Sequence, residues 1–390
     1  MPGYSGAILE YLRAQREPLV TFLEDLVRAE SPSSDPGSQS GVRSMLAAEL
    51  ETRGFATRFV AGRKTGGHLI ARPRVRSRRG SRQLVIGHYD TVWPVGTLET
   101  MPFEYDGRCV RGPGVFDMKG GLAELAFALR AIEALDLSMA VAPVVFLNSD
   151  EEIGSRESAR HITRLARVAD RALILEPSLG PAGALKTTRK GVGKYTITVT
   201  GRAAHAGLDP ERGVSAILEL SHVIQKLFAL NDPARGVTVN VGMIDGGLRP
   251  NVIAPESRAV VDVRIARQAD AEQIDAAIRS LEPTANGSAL NIEGGIGRPA
   301  LEPTPRNRAL WELAQRLGSE IGLELTEAAA GGGSDGNTTS LYTATLDGLG
   351  PVGDGAHAHH EHLDIDLTIE RAALLALLLL APPLTEDEQC

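Results

Sequence analysis

Leu84-Val-Ile-Gly-His-Tyr-Asp90 joins an uninterrupted apolar run to a histidine and an aspartate that follow almost directly. A run without polar alternation is typical of a strand that is buried on both faces of its sheet. Comparable runs occur at 144–148 and 172–175, and an Ala- and Leu-rich segment with helical character lies between the first two, at 118–135. Strands that alternate with helices in this way predict an α/β domain.

Flanking segments continue the pattern in both directions. Apolar spacings predict helices at 7–30, 40–53 and 307–321, and strands at 56–60 and 68–72. The apolar run at 372–380, which precedes Ala-Pro-Pro, is too short to span a bilayer and predicts a buried C-terminal helix.

A second pattern begins near Lys186. Lys194-Tyr-Thr-Ile-Thr-Val-Thr200 alternates as a strand with one solvated face does, and a helix at 214–230, strands at 237–244 and 257–265, a helix at 270–281 and a strand at 290–293 follow. This β-α-β-β-α-β order predicts a ferredoxin-like unit, joined to the rest by a flexible link at 294–298. We therefore expect a catalytic domain at 1–185 and 298–390, with a second domain, 186–297, inserted into it.

Composition excludes several classes of protein. The 390 residues are 43% hydrophobic and 23% charged, with a net charge of −8, an ordinary globular balance. The basic stretch Arg72-Pro-Arg-Val-Arg-Ser-Arg-Arg79 is interpreted as an exposed loop, so no nucleic-acid partner is expected. Two cysteines, Cys109 and Cys390, form no disulfide framework, and residues 1–28 contain no apolar signal core. A soluble cytoplasmic protein without a membrane partner is the prediction.

Polar motifs follow the predicted strands, where sites form in open α/β sheets. His88 and Asp90 are two residues apart, so their side chains share a face, and a carboxylate beside a metal-binding imidazole fixes its tautomer. Asp117, in Arg111-Gly-Pro-Gly-Val-Phe-Asp-Met-Lys-Gly-Gly121, precedes a predicted helix and is either a helix cap or a metal ligand.

Acidic residues follow two further strands. Asn148-Ser-Asp-Glu-Glu-Ile-Gly154 contains three consecutive carboxylates, which repel one another unless a cation lies among them or the segment is a solvated loop. In an extended segment neighbouring side chains diverge, so Glu151 and Glu152 are expected to have different roles. Glu176, in Leu175-Glu-Pro177, again follows an apolar run.

The fifth motif is Gly355-Ala-His-Ala-His-His-Glu-His-Leu-Asp364. Alone it is also compatible with a flexible loop of adventitious metal affinity, and local chemistry does not select one of its histidines. Together the five motifs supply two imidazoles and three carboxylates. Such ligands suit a pair of zinc ions, or cobalt or manganese, and two ions about 3.5–4 Å apart can activate a shared water and polarise a carbonyl.

These motifs, in this order, resemble the zinc metallopeptidases that include folate-hydrolysing glutamate carboxypeptidase, aminoacylases, succinyl-diaminopimelate desuccinylase and peptidase T. The resemblance extends over about residues 19–380. It is nearest to the glutamate carboxypeptidase branch, through Gly331-Gly-Gly-Ser-Asp335, Gly297-Arg-Pro-Ala300 and Asp347-Gly-Leu-Gly350. It implies an aminopeptidase-like catalytic domain with a mixed sheet flanked by helices.

The resemblance also implies roles for individual residues. His88 and Glu176 would bind one metal ion, Glu152 and a late histidine the other, and Asp117 both. Asp90 would orient His88, and Glu151 would take a proton from the water between the metals and deliver it to the leaving nitrogen. A glutamate four residues after the late ligand selects His357, with Glu361, over His359 and His360. The peptide bond between Asp117 and Met118 is expected to be cis.

The inserted domain resembles the dimerisation or lid domain of these enzymes, which implies a homodimer. His205, in Gly201-Arg-Ala-Ala-His-Ala-Gly207, would reach the active site of the partner subunit and donate to the developing oxyanion. Asn251 and Arg264 would hold the substrate, and Arg298 would clamp a terminal carboxylate. Without the resemblance, His205 is a structural hydrogen-bonding residue and Arg264 an outward charge on a strand.

One position departs from the pattern. Where the glutamate carboxypeptidase has a substrate-facing lysine eight residues after the Glu176 equivalent, this chain has Ala184, with Lys186, Arg189 and Lys190 nearby. The expected function is hydrolysis, with two zinc ions, of the amide bond in a peptidyl- or N-acyl-amino acid with a free carboxylate, and glutamate release is one version of it. A dipeptidase or a small-molecule amidase of a biosynthetic or detoxification pathway is the alternative. A non-catalytic ligand-binding protein is a third, although such a protein has no need of Glu151.

Overall fold

The computed structural model describes residues 3–75 and 80–384, so part of the basic stretch and Cys390 lie outside the described residues. Its contacts divide the chain into two compact units. The main unit contains Met1–Thr187, Pro303–Ala330 and Ser334–Cys390, and the inserted unit contains Thr188–Glu302 and Gly331–Gly333.

The strands and helices of the described residues are as follows. The strands are β1 (Phe55–Val60), β2 (His68–Pro73), β3 (Arg82–His88), β4 (Glu104–Tyr105), β5 (Cys109–Arg111), β6 (Ala142–Asn148), β7 (Arg171–Ile174), β8 (Leu185–Arg189), β9 (Gly191–Thr200), β10 (Thr238–Gly246), β11 (Glu256–Ile265), β12 (Ala289–Arg298), β13 (Glu327–Ala330), β14 (Ala344–Leu346), β15 (Gly353–Asp354) and β16 (His362–Asp364). The α-helices are α1 (Ser5–Ala14), α2 (Arg16–Arg28), α3 (Ser40–Thr52), α4 (Gly120–Ala134), α5 (Ala159–Ala166), α6 (Ala216–Phe228), α7 (Gln268–Arg279), α8 (Pro305–Glu320), α9 (Asp335–Thr339) and α10 (Ile365–Leu380).

The largest sheet of the main unit has the strand order β1-β2-β6-β3-β7-β14. β1, β2 and β6 pair antiparallel, whereas β6, β3, β7 and β14 pair parallel, so the sheet is mixed, as the resemblance implied. Leu84 and Ile86 of β3 pack into the core on one face, and Val85 packs into the core on the other. Because β6, β3 and β7 run in the same direction, the polar residues that follow these strands gather at one edge of the sheet, at their carboxyl ends.

The predicted first helix, 7–30, is wrong in one respect, because two helices occupy it and Gln15 separates them. Pro18 gives the physical reason. Inside a continuous helix proline removes a hydrogen bond and clashes with the preceding turn, whereas the first turn of a new helix has no partner for that amide. Helix α10 begins at Ile365, well before the apolar run, because the Asp364 side chain caps it through the amides of Asp366 and Leu367.

The inserted unit contains an antiparallel sheet with the order β10-β11-β9-β12, and helices α6 and α7. Its chain order is the predicted β-α-β-β-α-β. The predicted flexible link at 294–298 is wrong, since these residues belong to β12 and pair with β9. Gly294 has φ +105° there, and a Cβ atom would lie 2.1 Å from the carbonyl oxygen of Lys194, so its glycine permits close strand approach rather than flexibility.

No helix in the described parts of the chain is both long enough and apolar enough to cross a membrane.

Candidate metal centre

The main unit brings the polar residues of the five motifs together at one edge of the parallel strands. His88 ends β3, Glu151 and Glu152 follow β6, and Glu176 follows β7. Asp117 lies in the turn Val115–Lys119 that leads into α4, and His357 lies between β15 and β16.

Asp117 lies between two imidazoles. One of its carboxylate oxygens, Oδ1, is 3.3 Å from Nε2 of His88, and the other, Oδ2, is 3.5 Å from Nε2 of His357. His88 Nε2 is also 3.6 Å from Oε1 of Glu176, and His357 Nε2 is 3.1 Å from Oε2 of Glu152. Both imidazoles therefore face Asp117. In addition, His88 faces Glu176 and His357 faces Glu152.

The alternative interpretation of Asp117 as a helix cap is wrong. Helix α4 begins at Gly120, its capping position is Lys119, and no side chain caps it. Asp117 itself has non-helical angles, φ −117° and ψ 96°, and its peptide bond with Met118 is cis, as the resemblance implied. Its carboxylate is thus free of helix hydrogen bonding and lies against the two histidines.

Glu151 and Glu152 lie in a turn, not in the extended segment that we expected. The amide of Gly154 donates to the carbonyl of Glu151 (2.8 Å), and the amide of Ser155 donates to that of Asp150 (2.7 Å). The two side chains nevertheless separate. Potential ligand atoms of Glu151, His88 and Glu176 lie within 4.8 Å of one another, while those of Glu152 form a similar group with His88 and Asp117.

The fold distinguishes the late histidines, which local chemistry did not. His357 faces Asp117 and Glu152, whereas the ring of His359 packs against Trp93, with ring centroids 5.4 Å apart. His357 has φ +61°, a conformation that residues other than glycine rarely adopt and that occurs at functional sites.

The electrostatics of the cluster fit divalent cations. His88 Nε2, Asp117 Oδ1 and Glu152 Oε1 are buried and have no hydrogen-bond partner. Burial together with the charge of Asp117 raises the pKa of Glu152 to about 7. Hydrogen bonds that His357 donates to the carboxylates of Asp117 and Glu152 raise the pKa of His357 to about 10. Positive charge is therefore favoured among these groups, and cations bound by imidazole nitrogen and carboxylate oxygen would supply it.

Asp90, which is fully buried, contacts three parts of the site. Nδ1 of His88 is 3.0 Å from the Asp90 carbonyl oxygen and 3.4 Å from its Oδ1. The Asp90 carboxylate also accepts the amides of Glu151 (3.3 Å) and Glu152 (3.2 Å), and the hydroxyl of Ser33 (2.7 Å). These contacts join Asp90 to the imidazole of His88 and to the turn that carries Glu151 and Glu152, which we call the acidic turn. The sequence around Ser33 did not predict its hydrogen bond to Asp90, because the end of α2 and the end of β3 are far apart in the chain and meet only in the folded protein.

Glu361 is a second buried anchor. Its Oε1 accepts the amides of Phe116 (2.9 Å) and Asp117 (3.0 Å), and its Oε2 accepts the amide of Gly114 (2.9 Å) and the indole N–H of Trp93 (2.7 Å). The sequence indicated Glu361 only by its spacing from His357. The structure adds that Glu361 fixes the turn that carries Asp117. The segment 357–361 therefore supplies one candidate ligand, His357, and supports another, Asp117.

The inserted unit carries His205, which is exposed. The amides of Gly207 and Leu208 both donate to Nδ1 of His205, each at 3.1 Å. Because Nδ1 accepts these bonds, the proton of the neutral ring lies on Nε2. His205 therefore presents a hydrogen-bond donor at Nε2.

The predicted substrate residues also lie in the inserted unit. Asn251 is exposed, and its carbonyl accepts the amide of Ala206 (3.0 Å), which ties it to the His205 loop. Arg264 is not an isolated outward charge, since Asp262 binds it through both carboxylate oxygens, at 2.8 and 3.0 Å. Arg298 is half-buried at the end of β12. A substrate carboxylate at Arg264 would have to compete with Asp262.

Comparison with known proteins places the chain in a family. Residues 187–286 match the family described as "Peptidase dimerisation domain". Carboxypeptidase G2 of Pseudomonas sp. (strain RS-16) is 30% identical over 372 residues, which cover 93% of this chain and 88% of that protein. Succinyl-diaminopimelate desuccinylase of Gluconacetobacter diazotrophicus is 27% identical over 92% of this chain and 94% of that protein.

Solved structures show the same fold. Aminopeptidase PepT from Bacillus cereus superposes with a TM-score of 0.78 at 21% identity, over 93% of this chain and 98% of that one. Fold and site together define a metal-dependent hydrolase of amide bonds. The chain belongs to the M20 peptidase family and includes that family's dimerisation domain.

Proposed function

We propose that this protein cleaves the amide bond of a peptidyl- or N-acyl-amino acid that has a free carboxylate, and that two zinc ions per subunit support the reaction. The observation that carries this proposal is the position of Asp117, with one oxygen toward His88 and the other toward His357. The names of its relatives, a carboxypeptidase and a desuccinylase, support hydrolysis next to a carboxylate. Release of glutamate is one version of this activity.

In the proposed centre, His88 and Glu176 hold one ion, Glu152 and His357 hold the other, and Asp117 contacts both. When bound, a pair of such ions activates a water and polarises the carbonyl of the substrate. Imidazole and carboxylate ligands suit zinc, while cobalt and manganese are accepted by similar ligands. Asp90 keeps Nδ1 of His88 occupied, which leaves Nε2 directed at Asp117 and Glu176.

Glu151 is the proposed proton carrier. Glu151 is 9% exposed, and its carboxylate lies near His88 and Glu176, at the same edge of the sheet. In the proposed reaction it accepts a proton from the attacking water, whose oxygen bonds to the carbonyl carbon, and transfers that proton to the departing nitrogen as the C–N bond breaks. Its neighbour Glu152 remains a ligand, because the turn directs the two side chains to different partners.

The substrate is proposed to bind to residues of the inserted unit. Asn251, Arg264 and Arg298 are proposed to hold it, with an arginine pairing with its terminal carboxylate. Ala184, at the position where the glutamate carboxypeptidase has lysine, is buried in a tight hairpin with Leu179. Without a cation there, preference for a second carboxylate such as that of glutamate would depend on other residues.

A panel of substrates tests this proposal. The zinc-loaded protein would be assayed with N-acetyl- and N-benzoyl-amino acids, with dipeptides, and with the same compounds as carboxyl amides. We expect the carboxyl amides to lose at least about tenfold in kcat/KM, because one charge-assisted bidentate pair contributes more than 1.4 kcal/mol. Equal rates for free and blocked carboxylates would reject the carboxylate clamp. They would favour the small-molecule amidase of the alternative, which the Arg264–Asp262 pair also supports, whereas a dipeptidase would show itself as a preference for the dipeptides of the panel.

A homodimer through the inserted unit is part of the proposal. β10 is an edge strand, and apolar side chains on it, just after it and on nearby α6 are 49–72% exposed, namely those of Met243, Ile244, Leu248, Ile217 and Leu218. A Cβ at Gly247 would lie 3.1 Å from Ile217 Cδ1, so strand and helix form one surface. Exposed apolar patches at sheet edges mark interaction sites.

A cytoplasmic location is proposed as well and rests on the half-buried Cys109, which is a free thiol.

Ile244→Asp is expected to convert the dimer to a monomer with unchanged metal content, because a carboxylate in an apolar interface is not solvated. Analytical ultracentrifugation and metal analysis would measure both. The control is Val168→Asp, a similarly exposed apolar residue of the main unit, which should leave the dimer intact. A dimeric Ile244→Asp protein would contradict this assignment of the interface.

The donation by His205 across the interface predicts complementation between two inactive variants. Mixed dimers of Glu151→Gln with His205→Ala contain one site in which both residues are intact if His205 comes from the partner subunit. Random mixing should then restore about a quarter of wild-type turnover. No recovery after verified subunit exchange would mean that His205 acts within its own subunit or not at all.

A further inference from the structure

Asp335 is a buried carboxylate outside the ligand set. It begins helix α9 and is 3% exposed. The helix does not need it as a cap, because Ser334 Oγ accepts the amide of Gly336 (3.0 Å) and Asn337 accepts the amide of Ser334 (2.8 Å). Its carboxylate is therefore available for contacts with another part of the chain.

Those contacts are with the two ends of the acidic turn. Nδ2 of Asn148, the last residue of β6, donates to Oδ2 of Asp335, and the hydroxyl of Ser155 donates to Oδ1, both at 2.5 Å. Glu151 and Glu152 lie between Asn148 and Ser155 in the chain. One carboxylate thus closes the segment 148–155 into a loop of fixed width.

The geometry of Ser155 depends on this closure. It has φ +53°, which a residue with a side chain adopts at an energetic cost that surrounding contacts must offset. Its amide bonds to the carbonyl of Asp150 and its hydroxyl to Asp335. On the opposite side, Asp90 accepts the amides of Glu151 and Glu152. The turn is therefore held from both sides by buried carboxylates.

We propose that Asp335 is a positioning residue for hydrolysis: by joining Asn148 to Ser155 it sets where Glu151 and Glu152 lie relative to His88 and Asp117. This inference rests on the proposed function, in which Glu151 carries the proton. Residues that support ligands and bases indirectly typically contribute 10–100-fold to activity or metal affinity. Displacement of a reacting group by about 1 Å has an effect of similar size.

Asp335→Asn tests the proposal, since its amide offers one acceptor oxygen where the carboxylate accepts from both Asn148 and Ser155. We expect kcat to fall about 10–100-fold with little change in KM, and Zn²⁺ affinity, measured by chelator competition, to fall in the same range. Ser155→Ala removes the other contact without changing charge and serves if Asp335→Asn does not fold. The double variant should be no slower than the slower single one, because both disrupt one unit.

Thr339→Val is the matched control. Thr339 is fully buried on α9 and bonds to Gly336 and Thr345 but not to the acidic turn. It should lower the melting temperature without lowering kcat of the folded, zinc-loaded protein. The proposal is overturned if Asp335→Asn and Ser155→Ala keep full kcat and Zn²⁺ affinity, or if their losses only follow the folded fraction as in Thr339→Val. If Glu151→Gln also keeps full turnover, the proposed function fails instead.

Discussion

Glu151→Gln is expected to lower kcat by about 10²–10⁴-fold, the range that general acid–base catalysis contributes. Glutamine has nearly the same size and keeps one carbonyl oxygen, so the acidic turn should fold unchanged. It cannot accept and release a proton near neutral pH. Steady-state kinetics on the best substrate of the panel would measure the loss.

Metal analysis of the same variant separates two roles for Glu151. Its carboxylate is close enough to His88 and Glu176 to complete a three-ligand group, so a ligand role is the competing interpretation. Retention of two zinc ions per chain with lost turnover supports the proton carrier, whereas loss of one ion supports the ligand. Glu324→Gln, at an exposed position of the main unit, is the matched control and should behave as wild type. Full activity of Glu151→Gln would remove Glu151 from the mechanism and leave open the non-catalytic interpretation of the site.

Asp117→Ala is expected to release both metal ions and to lower turnover at least about 10³-fold, since metal assistance lowers the activation barrier by several kcal/mol. The reason is geometric. The carboxylate faces both His88 and His357, so its removal reduces each ligand set at once. Metal stoichiometry after dialysis against zinc-buffered solution would measure the loss.

His357→Ala provides the contrast, because His357 faces Glu152 and Asp117, whereas Glu176 faces His88. It should release one ion and retain the other. Asp25→Ala, on the exposed side of α2, controls for loss of a surface carboxylate. If Asp117→Ala retains one ion at full affinity, Asp117 belongs to one ligand set only, and the bridging role is wrong.

Most of the fold was predictable because short-range patterns determine it. Apolar runs such as Leu84-Val-Ile follow from burial on both faces, and the inserted β-α-β-β-α-β unit follows from alternation and helical spacing. The errors arose where one residue overrides a pattern. Pro18 lies in the first turn of a new helix within a continuous apolar periodicity, and Gly294, which was expected to be flexible, allows β12 to approach β9.

By itself, the sequence determined that His88, Glu151, Glu152 and Glu176 follow buried strands, since strand ends can be read from local periodicity. Only the tertiary structure decided which groups meet. It placed His357 rather than His359 beside Asp117, it excluded Asp117 as a helix cap, and it brought Asp335 to the ends of a turn about 180 residues earlier in the chain. The physical reason is that hydrogen bonds and ion pairs form between atoms a few ångströms apart, and separation along the chain does not report that distance.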